Sequence, residues 1–161
     1  MFLFAMTLAA QAVPPAEEPV APYVQAEVNA GARPFRGPAM WTAFHGRTGV
    51  AHIVDDLVDR AIADARIADI FKGQDMVRLR RTLNEQFCYI LGGPCPYTGR
   101  TMQAAHADLG IQDADMGALV EDLQAAMRHE HVGFSAQNRF LAKLAPMRRT
   151  VVGQRGSHPA G

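Results

Sequence analysis

Between Trp41 and Val152 no stretch alternates apolar and polar residues as a half-buried strand would, and no segment repeats another. Sheet folds and solenoids are thereby excluded, which leaves helices. Neither sign of charge is in excess: 16 Lys and Arg stand against 16 Asp and Glu, for a formal net charge of zero. This removes the electrostatic footprint that nucleic acid or an anionic membrane requires, so small-molecule chemistry is the default expectation. No apolar run reaches the about 20 residues that a membrane-spanning helix needs. Cysteine is scarce, with Cys88 and Cys95 alone, and no second pair or suitably spaced histidine accompanies them to make a zinc site. The two flank Gly92-Gly93-Pro94, so a disulfide across that turn is geometrically feasible and is favoured by an oxidising compartment. Two partly buried free thiols are the alternative, and the preferred one.

At 161 residues, 48% of them hydrophobic, the chain is expected to form one domain with an ample core. Residues 1–12 are an apolar run ending in Ala10-Gln11-Ala12, as a signal peptide with a small-residue cleavage site would be, although no basic residue precedes the run. Export follows if this segment is removed, with no stable membrane insertion after processing; otherwise the protein stays in the cytoplasm. Residues 13–40 are rich in Pro and Ala and read as a flexible linker, residues 41–152 as the globular part, and residues 153–161 as a disordered tail.

Within the globular part, apolar stripes recur at helical spacing. Ile53, Val54, Leu57, Val58, Ala61 and Ile62 mark one amphipathic helix, with Asp55, Asp56, Asp59 and Arg60 on its wet side. Met76, Leu79, Leu83, Phe87, Ile90 and Leu91 mark a long one from about Asp75 to Leu91. A third carries Met116, Leu119, Val120, Leu123, Ala126 and Met127, with Asp113 as its expected N-cap. Ser135 is the expected cap of the last, whose stripe is Phe140, Leu141, Leu144, Met147 and Val151 and which Pro146 should bend.

The stretch from Leu91 to Ile111 interrupts this pattern. Its glycines and prolines end the preceding helix, and Met102, Ala105, His106 and Leu109 then recur at spacings of three and four, placing His106 on the inward side of a short helical turn. A buried imidazole needs a partner, and a core histidine bonded to a carbonyl satisfies that need without any further role. The wording Leu-Gly-Gly-Pro, Tyr-Thr-Gly-Arg, Met, His, Leu-Gly-Ile, however, resembles the proximal segment of the group I truncated haemoglobins. The likeness extends from about Trp41 to Val152, with His45 standing where the family usually has the first glycine of a Gly-Gly turn.

The resemblance implies an all-α, two-over-two globin sandwich holding haem b, with His106 as the iron ligand. No Cys-x-x-Cys-His is present to attach the haem covalently in the c-type manner. The apolar slot would comprise Val58, Phe71, Met76, Leu79, Leu83, Phe87, Met102, Ile111, Leu119 and Leu123. Phe71 would wedge against the distal face, unless it is an ordinary core aromatic. Arg80 and Arg100 are candidates for the haem propionates through charge-assisted bonds, with a solvated surface arginine as the other reading of Arg80. Diatomic gases, O₂, NO and CO, are the implied ligands. Nitric oxide dioxygenase activity with an electron-donating reductase is the implied enzymatic alternative, and a helical interaction module without haem is a further one. Many members of the family place Tyr at the position of Val58 and hydrogen-bonding residues at those of Leu79 or Leu83. Here all three are aliphatic, so a distal donor would have to come from Asn84 or Gln86 turned inward.

Overall fold

The computed structural model describes residues 16–153. The expected signal segment, residues 1–12, and residues 154–161 of the expected tail lie outside the described residues. Seven α-helices follow one another, and no strand occurs among the described residues. They are α1 (Ala39–Ala43), α2 (Gly46–Ala63), α3 (Met76–Ile90), α4 (Met102–His106), α5 (Asp113–His129), α6 (Phe134–Leu144) and α7 (Arg148–Val151). The arrangement is two-over-two: α2 packs on α3 and on α5, and α5 packs on α6.

Local chemistry sets the boundaries. Between α1 and α2 the chain turns through His45 and Gly46, both in the left-handed region at φ 61° and 65°. The position where a family glycine is usual thus keeps the glycine-like backbone while carrying an imidazole. Helix α2 then buries Ile53, Val54, Leu57, Val58 and Ala61 along one stripe, as its spacing predicts. Asp75 caps α3 by accepting from the Arg78 N–H at 2.9 Å. For α5 the expected cap shifts by one residue. Gln112 is the N-cap and its N–H donates to Asp115 Oδ2 at 2.8 Å, while Asp113 turns outward to Arg148. Ser135 does not cap α6 either, because the helix begins one residue before it, with Gly133 as N-cap. Pro146 divides the last stripe: α6 stops at Leu144, a 3₁₀ turn covers Ala145–Met147, and α7 continues from Arg148.

The centre of the core is aromatic. Phe140 of α6 meets Phe44 and Phe87 edge-on, each ring pair 5.0 Å apart between centroids. Leu91, Ile90, Ile53 and Met127 are fully buried around them.

Two further expectations are corrected. Cys88 and Cys95 are joined by a disulfide, not free. Gly92 turns the chain back at φ 85° and the Gly93 N–H bonds the Cys88 carbonyl at 2.8 Å, so the returning loop passes directly over the last turn of α3. The segment read as a flexible linker is also different, since residues 17–38 lie along α3 as a strap. Glu17 pairs with Arg81 and Arg78, the Glu18 N–H donates to Asp75 at 2.7 Å, and the Phe35 N–H donates to the Ile90 carbonyl at 2.8 Å. Arg139 and Lys143 of α6 stand over the Phe35 ring. Ala30, in the middle of the strap, is fully buried.

Candidate functional site

The site is a cavity of about 670 Å³ bounded by α3, α4, α5 and the α6–α7 segment, within the size range of cofactor pockets. Helix α3 contributes Leu83, Gln86 and Phe87, and α2 adds Leu57. The opposite wall is α5, through Met116, Leu119, Val120 and Leu123. Leu141, Leu144, Met147 and Val151 close the floor, and Met102 and His106 of α4 complete the wall.

Thr101 starts α4 by accepting from the Ala104 N–H at 3.1 Å, and one turn of helix then carries His106 to the cavity. Its Nδ1 lies 2.7 Å from the Met102 carbonyl. A carbonyl only accepts, so Nδ1 carries the proton. Burial pushes the imidazole below its ordinary pKa, outweighing the opposing bond to Met102, and the nearby charge of Arg100 lowers it further. The ring is therefore neutral near pH 7, with Nε2 unprotonated and its lone pair free to bind a metal. An apolar slot with one such imidazole in its wall fits an iron porphyrin. At the mouth, exposed Arg148 is paired with exposed Asp113 through Nε at 2.9 Å and Nη2 at 2.8 Å, both to Oδ1.

Of the residues named from sequence, Leu83, Phe87, Met102, His106, Leu119 and Leu123 line this cavity. The others do not. Val58 is buried in the core, and its neighbour Leu57 is the α2 residue at the cavity wall. Phe71 is half-buried against a small cluster of Ala61, Ile67 and Ala118, against which the cavity residue Leu119 also packs. Met76, Leu79 and Ile111 are part-buried against the main core. Arg80 spends its guanidinium on Asp55 at 3.0 Å and Asp59 across to α2, so it is tied to carboxylates rather than offered to a propionate. Arg100 is not part of the wall, although its charge is felt at His106; its Nη1 reaches the Ala104 carbonyl at 3.5 Å.

Sequence reasoning missed Arg148. Arg148 lies one position after Met147 on a stripe already recognised, and only the turn at Pro146 brings it to the mouth. Gln86, one of the two inward donors offered by the sequence, is buried, and its Nε2 donates to the Ala30 carbonyl at 2.8 Å and lies 3.2 Å from Met102 Sδ. Asn84 is engaged too, donating to the Arg80 carbonyl of its own helix at 2.9 Å. Each amide NH₂ thus has a partner within the protein.

Residues 39–153 match the family model for bacterial-like globins. Among curated relatives, the group 1 truncated hemoglobin GlbN of Nostoc commune is 34% identical over 93 residues, 58% of this chain and 77% of the relative. That of Mycolicibacterium paratuberculosis is 30% identical over 102 residues, 63% of this chain and 75% of the relative. Among solved structures, the truncated hemoglobin of Tetrahymena pyriformis in its Fe(III) form superposes with a TM-score of 0.68 at 24% identity, covering 71% of this chain and 97% of that one. The 2/2 hemoglobin of Synechococcus sp. PCC 7002, which has a covalently attached heme, gives 0.66 at 24% identity over 70% and 97%. The cavity, its single imidazole, the helix arrangement and these likenesses converge: the chain belongs to the bacterial-like globins, as a group 1 truncated haemoglobin.

Proposed function

We propose that this globin holds one haem b non-covalently in the cavity, with His106 Nε2 as the only protein ligand to iron, and that it binds diatomic gases reversibly. The observation that carries the reading is the 2.7 Å contact between His106 Nδ1 and the Met102 carbonyl, which leaves the other ring nitrogen bare in an apolar wall. Bound there, the iron porphyrin supplies a ferrous centre for O₂, NO or CO. The chain contributes the ligand, excludes water with leucine and methionine side chains, and offers Arg148 at the mouth as the cation for a propionate, which would take the place of its exposed partner Asp113.

The face opposite His106 sets the gas chemistry. Solved variants of the Tetrahymena pyriformis protein replace one tyrosine and two glutamines, whose spacing along that chain is the spacing from Val58 to Leu79 to Leu83 here. Of these, Leu83 lines the cavity while Val58 and Leu79 pack in or against the core, and all three are aliphatic, so none of these positions offers oxygen a hydrogen bond and it should leave fast. CO, which depends little on such a bond, is held comparatively well. This favours reversible binding over the nitric oxide dioxygenase reaction and its reductase. The test is the spectrum of the haem-reconstituted ferrous protein without gas. Five-coordinate, high-spin iron is expected, whereas a six-coordinate low-spin spectrum would mean that a second side chain closes the site.

Export is proposed alongside, supported by the apolar run before Ala10-Gln11-Ala12 and by the Cys88–Cys95 disulfide, which suits an oxidising compartment. Mass spectrometry of the native N-terminus decides it. A chain retaining Met1 in the cytosolic fraction refutes it.

A further inference from the structure

We infer that the strap, residues 17–38, is a positioning element for the proximal histidine, with Gly31 and Asn29 as its working residues. The strap ends just before the region that the family model matches, residues 39–153. The inference rests on the proposed role of His106 and adds what holds that residue in place.

Helix α4 has five residues, too few to be stable alone, and the loop before it from Gly92 to Thr101 forms no helix. Something outside α4 must fix it. The strap touches this region at successive points. Tyr23 OH donates to the Thr98 carbonyl at 2.7 Å, and Asn29 Nδ2 donates to the Gly99 carbonyl at 3.3 Å. Next along the chain, the Ala30 carbonyl accepts from Gln86 Nε2, which also lies 3.2 Å from Met102 Sδ. Gly31 then presses directly on the floor of the cavity: a Cβ added there would stand 2.8 Å from Met102 Cγ and 2.5 Å from Met147 Sδ. Met102 is the residue whose carbonyl fixes the His106 ring. Displacing Met102 therefore moves the acceptor that sets the tautomer and orientation of the imidazole, the kind of outer contact on which metal affinity depends.

The experiment uses the full-length protein loaded with haem. The iron–histidine stretching band of the ferrous form is recorded by resonance Raman, haem loss is timed against an excess of a haem-scavenging apoprotein, and the thermal midpoint is taken alongside. Three variants are compared. Gly31→Ala adds the clashing methyl group. Gly37→Ala adds the same group at a glycine of similar backbone, φ 72° against 84°, with nothing within 4 Å. Asn29→Ala adds no atom and removes the bond to Gly99 together with the 2.9 Å bond to the Val24 carbonyl that braces the strap itself.

Gly31→Ala should shift or broaden the band and speed haem loss about ten-fold or more, the range for groups that support a metal ligand. Asn29→Ala should change both in the same direction and carries the test if Gly31→Ala does not fold. Gly37→Ala should leave both as in the unmodified protein. The inference is overturned if folded Gly31→Ala and Asn29→Ala keep the original band and rate, or if Gly37→Ala matches Gly31→Ala, which would mean that backbone strain alone is responsible. An unmodified protein with no iron–histidine band brings down the His106 reading and this inference together; a band that is present but unmoved brings down this inference alone.

Discussion

At the scale of single residues, the proposed gas chemistry turns on Leu83, an aliphatic side chain that lines the cavity from α3. Introducing an amide by Leu83→Gln gives oxygen a donor. A hydrogen bond to a partly charged acceptor in a dry site is worth about 1–3 kcal/mol. Oxygen release, measured by stopped-flow displacement with CO, should slow by about ten-fold, the equivalent of about 1.4 kcal/mol. Gln86→Leu should not change that rate, because the Gln86 amide is already committed to the Ala30 carbonyl. An off-rate that rises in Gln86→Leu and is unmoved in Leu83→Gln would place the donor on Gln86. The histidine and much of its apolar surroundings were legible in the sequence, because both lie on stripes of helical period. Arg80 was open between two readings for a physical reason. Its position beside the α3 stripe is equally suited to a propionate and to the carboxylates of a neighbouring helix, and only the approach of α2 decides for Asp55 and Asp59.

Elements carry the next set of consequences. The α2, α3, α5 and α6 stripes were readable because each buries one face, whereas the strap was not. Its contacts are backbone carbonyls and single side chains distributed over a Pro-rich segment, and such contacts leave no period to detect. Its outer end depends on a carboxylate. Arg81, helped by Arg78, holds the buried Glu17 carboxyl below its ordinary value of 4.5. A carboxylate whose pKa is lower in the folded state contributes stability above its unfolded value and loses it as pH falls through the folded one. Anchorage of the strap should thus be complete at neutral pH and decline only below about 4.5. Glu17→Gln should cost about 1 kcal/mol or more at pH 7 and flatten that acid limb in thermal unfolding followed against pH. An unchanged limb would show that other carboxylates govern it. The disulfide is the second element-scale constraint, closing a short loop between the end of α3 and the segment leading to α4. Cys88→Ser with Cys95→Ser should lower stability by about 2–3 kcal/mol in denaturant titration, the value for a loop of this size. A loss near zero would indicate that the loop is held equally well by the Gly93 N–H and the packing of Trp41 against Gly93.

For the whole molecule, the two-over-two arrangement explains how residues 39–153 leave room for a cofactor-sized cavity. Phe140 joins the two helix pairs through its edge contacts with Phe44 and Phe87, and the cavity opens beside this junction between α3 and α5. Periodicity alone was equally compatible with a plain four-helix bundle. The short α4, its histidine and the turn at Pro146 separate the two, because a bundle has no use for a five-residue helix that presents one imidazole to an apolar space. The central claim, that His106 binds the iron of a haem seated in this space, is tested most directly by titrating hemin into the unmodified protein and into His106→Gly and comparing their spectra. The unmodified protein should take up one haem per chain and, when reduced, give a five-coordinate spectrum with an iron–histidine band. His106→Gly should lose that band and release haem far faster, with added imidazole restoring the band. A His106→Gly protein that keeps the unmodified ferrous spectrum and haem affinity would contradict the account at its centre.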